Sequence, residues 1–139
     1  MKKFFILFSL IILLVFSFGF SKTTLCDLLN INKEESFLKQ QDLGFIKEEY
    51  VSSDYLVYKD NNSIVGEAVK LKINKRNIDS IINKLGLMIT NRYSVENFDV
   101  IEGFSAKIKY RLSGRQANIQ LAIKGNEVVI GTPIIYGSY

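Results

Sequence analysis

Lys2 and Lys3 open the chain, and from Phe4 to Phe20 only Ser9, Ser17 and Gly19 interrupt a run of apolar side chains. A basic start, an apolar stretch and small residues before a cut make up a secretory leader. Gly19 and Ser21 stand three residues and one residue before a cut between Ser21 and Lys22. The run exceeds the roughly 7–15 apolar residues of an ordinary signal, yet falls short of the roughly 20 that span a bilayer. A cleaved signal peptide and a retained N-terminal membrane anchor therefore both remain open. In either case the two lysines hold the short N-terminus inside. Residues 1–21 are thus read as leader and residues 22–139 as a single domain, extracytoplasmic, either secreted or anchored to the outer face of the cytoplasmic membrane.

Two of the 18 Lys and Arg residues lie in that leader, so the body is only mildly basic against its 14 Asp and Glu. Such a balance is too small for a dedicated nucleic-acid binder, whose phosphate contacts need a strong cationic excess; nucleic acid is not the partner expected on these grounds. Cys26 is the single cysteine, so no intrachain disulfide is available and the exported body must rely on its core. Thr23, Thr24 and Leu25 precede it where a lipidation signal would place small residues. Cys26 is therefore read as a small apolar residue on a helix face.

Along the body, residues 23–43 read as two short helices, with Leu25, Leu28 and Leu29 as an apolar cluster, Asn32 and Glu35 as a capping pair and Gly44 as the stop. From Phe45 to Lys59 the composition turns to Tyr, Val and Ile around a break at Ser52, Ser53 and Asp54, which predicts a hairpin. Residues 60–63 form a turn. Val69, Leu71 and Ile73 then alternate with Lys70 and Lys72, as a half-buried strand requires. Ile78, Ile81, Ile82 and Leu85 recur at helical spacing, with Asn77 as cap and Gly86 as stop. Ala106, Ile108, Tyr110 and Leu112 alternate with Lys107, Lys109 and Arg111, predicting another strand. Ile119, Leu121 and Ile123 predict a further one, followed by a turn at Gly125 and Asn126 and a strand from Val128 to Ile130. Pro133 interrupts, and Ile134 to Tyr136 are expected to finish the sheet. The short connections favour antiparallel pairing. The fold expected is α+β, an antiparallel sheet with amphipathic helices on one face.

The chain has no histidine, which removes Ser–His and Cys–His nucleophile pairs and histidine metal sites. No glycine run resembles a phosphate-binding loop. Asp60, Asn61 and Asn62 lack the glycine and distal glutamate of a calcium loop. Carboxylate pairs are the only acid–base chemistry left. Glu48 and Glu49, adjacent on a strand, point to opposite faces, and Asp99 with Glu102 reads as surface charge. No catalytic, cofactor or metal site is expected, and the protein is not read as an enzyme. The one feature with binding character is cationic: Lys70 and Lys72 on one strand, Lys107, Lys109 and Arg111 on another. Were those strands neighbours, one sheet face would carry a basic stripe able to hold an anionic polymer, a lipid headgroup layer or an acidic partner. The plainer account is a solvated face on which lysine discourages edge aggregation.

Asn118, Gln120 and Ala122, followed by Gly131-Thr132-Pro133 and the terminal Tyr139, resemble the C-terminal end of the YwmB family, exported proteins of spore-forming Gram-positive bacteria. The resemblance is specific over residues 118–139 and extends as a pattern back to about residue 64, taking in the helix that ends at Leu85-Gly86. The link from Lys124 to Glu127 is shorter than the family's arginine-containing connection. The resemblance implies a TATA-box-binding-protein-like fold, a curved antiparallel sheet backed by helices, and a non-catalytic cell-envelope protein tied to sporulation or the cell wall. It implies no catalytic residues. DNA binding does not follow, since fold does not fix function and minor-groove benders use apolar wedges. A cell-envelope protein or an anionic polymer is the partner expected, with the membrane reached through an uncleaved leader.

Overall fold

The computed structural model describes Ile6 and residues 22–31, 39–44, 46–74 and 77–137. Helix α1 (Leu25–Leu28) is followed by strands β1 (Lys39–Asp42), β2 (Lys47–Tyr50), β3 (Tyr55–Asp60) and β4 (Ser63–Lys72). Helix α2 (Asn77–Leu85) leads into β5 (Met88–Val95), β6 (Phe98–Phe104), β7 (Ile119–Lys124) and β8 (Glu127–Thr132). The eight strands form one sheet in the order β1-β2-β3-β4-β8-β7-β6-β5, and every neighbouring pair is antiparallel. The chain thus lays down a helix and a four-strand meander, repeats that plan, and joins the two meanders through their last strands. This is the α+β antiparallel architecture the sequence predicts.

Period-2 and period-3.6 patterns place most of these elements. On β4, Val69 and Leu71 face the main core with Ile73 just beyond, while Lys70 and Lys72 are exposed. The β3–β4 turn places Asn61 and Asn62 at φ 45° and 69°, the left-handed pair that a tight hairpin matching strand twist requires. On α2, Ile81 and Leu85 are buried and Ile78 and Ile82 pack beside them. Gly86, at φ 57°, ends the helix. Its N–H bonds Asn83 O at 3.0 Å and Leu87 N–H bonds Ile82 O at 3.0 Å, which satisfies carbonyls left open at the helix end. Burying the Ile81 and Leu85 side chains contributes roughly 1.5–3 kcal/mol each.

Three expectations are corrected. The helical reading of 23–43 holds only for α1, because residues 39–42 form the edge strand β1 against β2; Asn32 and Glu35 lie outside the described residues. Residues 106–112 are no strand of the sheet: they lie in a connection between β6 and β7 whose one bridge is a parallel contact between Thr23 and Ile108. Ile134 to Tyr136 add no strand either. After a cis Thr132–Pro133 peptide the tail turns back across the sheet. Residues 88–104, which no sequence signal singled out, form the β5–β6 hairpin.

The two sheet faces differ. Helices α1 and α2 cover one face, where Leu25, Val57, Val69, Leu85, Ile101, Ile108, Leu121, Val128 and Ile130 make the main core. On the other, Ile46, Tyr58 and Ala68 form a smaller cluster beneath Tyr136. Cys26 is buried in the main core, in the helix-face role expected of it.

Candidate functional site

The predicted cations do not form one stripe. Topology places β8, not the 107–111 segment, beside β4. Lys70 and Lys72 alternate with core-facing Val69 and Leu71, so they stand on the face away from the helices. Ile108 and Tyr110 are buried in the helix-side core, so Lys107, Lys109 and Arg111 belong to the opposite side of the sheet. Lys70 Nζ is moreover paired with Glu127 Oε2 at 3.0 Å.

The 105–118 loop is nonetheless a built structure. Its two ends are tied by Asn118, whose Oδ1 accepts Ser105 N–H at 2.8 Å and whose Nδ2 donates to Ser105 O at 2.9 Å. Ser105 Oγ donates to Leu85 O at 2.5 Å, fixing the loop to the end of α2. With Ile108 and Tyr110 turned inward, Lys107, Lys109 and Arg111 are exposed. Lys107 Nζ donates to Lys84 O at 3.1 Å, a favourable place for a cation because unpaired carbonyls make a helix C-terminus negative. Lys109 Nζ lies 4.9 Å from the Tyr110 ring centre and Arg111 Cζ 4.7 Å from that of Phe104, within cation–π range. Burial and then the charge of Glu67 push the Tyr110 phenol up to about 12. Thr23 lies alongside the loop: its N–H bonds Lys107 O at 2.7 Å, and Lys109 N–H bonds Thr23 O at 3.3 Å.

A second feature lies on the other face, which the sequence did not single out. A cavity of about 190 Å³ is lined by Glu48, Tyr50, Leu56, Tyr58, Lys70 and Ile135, among others. Glu48 and Glu49 do face opposite ways, as adjacent strand residues must. Glu48 is buried, however, whereas Glu49 pairs with Lys59 at 2.7 Å. Burial, then the Glu48 charge and a hydrogen bond to it, raise the Tyr50 phenol; burial likewise raises that of Tyr58. Both phenols stay protonated and offer hydrogen bonds. Asp99 and Glu102, read as surface charge, also have assigned partners. Asp99 accepts Ser94 Oγ–H at 2.8 Å, and Glu102 accepts Tyr93 O–H and Gln120 Nε2–H at 3.0 Å each and pairs with Arg115 at 3.0 Å.

Of the residues that carry the family resemblance, Asn118, Gln120, Gly131 and Thr132 converge on the C-terminal tail and the loop, while Tyr139 lies outside the described residues. Gln120 Oε1 accepts Ile135 N–H at 3.1 Å, and Thr132 Oγ1 donates to Asn118 O at 2.6 Å. A Cβ on Gly131 would meet Ile135 Cγ1 at 2.5 Å. Gln120, Gly131 and Thr132 play an architectural part: they close the tail over the sheet. Among the described residues no group of three His, Cys, Asp or Glu is placed to hold a metal, and no helix is long and apolar enough to cross a membrane. The fold and these surfaces define an α+β protein built on two helix-plus-meander units. Comparison with protein-family models, curated proteins and solved structures found no match.

Proposed function

We propose that this is a non-catalytic cell-envelope protein of the YwmB type, with its sporulation or cell-wall association, exported by its leader and acting by binding at the outer face of the cytoplasmic membrane. One observation carries the reading: the buried polar side chains are engaged in holding the fold. Asn118 and Ser105 close the loop, Gln120 and Thr132 fix the tail, and Glu67 holds the start of α1. Among the described residues no buried side-chain nitrogen or oxygen lacks a partner, whereas a reacting group must be held ready for substrate. The TATA-box-binding-protein-like identity belongs to the same proposal, supported by the antiparallel sheet of two similar halves with helices on one side. Protease added to intact protoplasts tests the location. Degradation of the body, with a cytoplasmic marker spared, is the expected result; a body protected until lysis rejects the proposal.

A further inference from the structure

We propose that the 105–118 loop is a membrane-facing surface that seats the body on anionic phospholipid headgroups. The proposal rests on the exported, leader-bearing reading above.

The charge of the loop is one-sided. It contains Lys107, Lys109, Arg111 and Arg115 and no Asp or Glu. Arg115 is neutralised by Glu102. Among the described residues Lys107, Lys109 and Arg111 form no ion pair; a helix carbonyl and two aromatic rings hold them instead. Such contacts fix a cation's position while leaving its charge available. The loop is also long for a connection between neighbouring strands, and long ordered loops tend to be functional.

Its position follows from chain geometry. The apolar run ends at Phe20, and Thr23 is hydrogen-bonded on both sides to the loop at Lys107 and Lys109. Three residues of fully extended chain reach at most about 10 Å. The headgroup layer outside the hydrocarbon is itself roughly 5–7 Å deep. While the apolar run lies in the bilayer, the Lys107–Lys109 stretch beside Thr23 therefore cannot stand farther from the headgroups than about one Debye length, ~8 Å at physiological salt. Within that distance exposed lysines and arginines are attracted to an anionic surface. Lys22, exposed between run and loop, adds a further cation.

The test uses the full chain, inserted through its own N-terminal segment into phosphatidylcholine vesicles with or without phosphatidylglycerol. Ser113→Cys, exposed at the loop turn, carries a fluorophore, and spin-labelled headgroups quench it; the buried Cys26 is shielded from the label. Quenching is expected to rise with phosphatidylglycerol and fall at high salt. It should fall also in the combined Lys107→Gln, Lys109→Gln and Arg111→Gln variant, with seating weakened on the order of fivefold per charge removed. The charge-preserving Lys107→Arg and Lys109→Arg pair should keep it, which distinguishes lost charge from lost fold. Equal quenching in both vesicle types, or quenching unchanged by the glutamine variant, overturns the proposal. The vesicle result does not depend on cellular location, so it can fail while the protoplast test succeeds, and the reverse.

Discussion

A carboxylate with no exposed surface costs several kcal/mol unless hydrogen bonds replace its water, and Glu67 receives three. The backbone N–H groups of Leu25 and Cys26 and the Tyr55 hydroxyl, at 2.8 Å, all donate to it. It thereby fixes α1 to the centre of β4. Burial raises its pKa above 4.5 despite the opposing pull of those donors. A raised carboxylate binds its proton more tightly when folded than when unfolded. Its stabilising contribution is then complete below 4.5 and is lost as pH rises through the folded value. Glu67→Gln keeps an acceptor for the helix start and removes the titration. Relative to this variant, the native protein should lose stability as pH rises above about 4.5, read from urea midpoints across pH; a constant difference would refute the linkage. Glu67→Leu leaves buried N–H groups unmatched and should cost about 2–3 kcal/mol at any pH in that range.

Elements differ in how openly the sequence declares them, and exposure explains the difference. Helix α2 and the Val69–Lys72 end of β4 each bury one side, so their apolar periods mark them. Edge strands β1 and β5 carry no such mark: Lys39–Asp42 is wholly polar, and no residue of Met88–Val95 is buried. Pairing with β2 and β6 makes them strands, and pairing is not a local property. The 106–112 segment shows the converse. Its alternation is real, with Ile108 and Tyr110 inward and the cations outward, but it reports a segment with two environments rather than a ladder. The cationic residues of the candidate site were legible for that reason; their separation from Lys70 and Lys72 was not, because it depends on β8 inserting beside β4. Gly66 and Gly131 were legible only as glycines. A Cβ on Gly66 would strike Thr132 O, and on Gly131 would meet the returning tail. Gly66→Ala and Gly131→Ala should each cost roughly 1–3 kcal/mol through overpacking. Gly114→Ala, with open space around it but φ 80°, should show only backbone strain of about 1–2 kcal/mol. Equal denaturant midpoints for native protein and Gly131→Ala would mean the tail does not lie where it is placed.

At the scale of the molecule, two similar units share one core instead of owning one each. Val69 on β4 stands opposite Ile130 on β8 at the seam, and both belong to the apolar cluster that holds Leu25 and Val57 from the first unit and Leu85, Ile101 and Leu121 from the second. Separating the units would expose this seam on both sides and leave the last strand of each meander as an unprotected edge. A chain of this size has surface enough for one core only, so the two units are expected to unfold together. Tyr55 and Tyr58 report on the first unit and Tyr93 on the second, and fluorinated tyrosine makes each visible by NMR during denaturation. Their transitions should coincide. Ile130→Ala, which removes a fully buried side chain from the seam, should lower stability by about 2–5 kcal/mol and move all three midpoints by the same amount. If Tyr93 melts apart from Tyr55 and Tyr58 in either protein, each unit has a core of its own and the shared seam does not govern the fold.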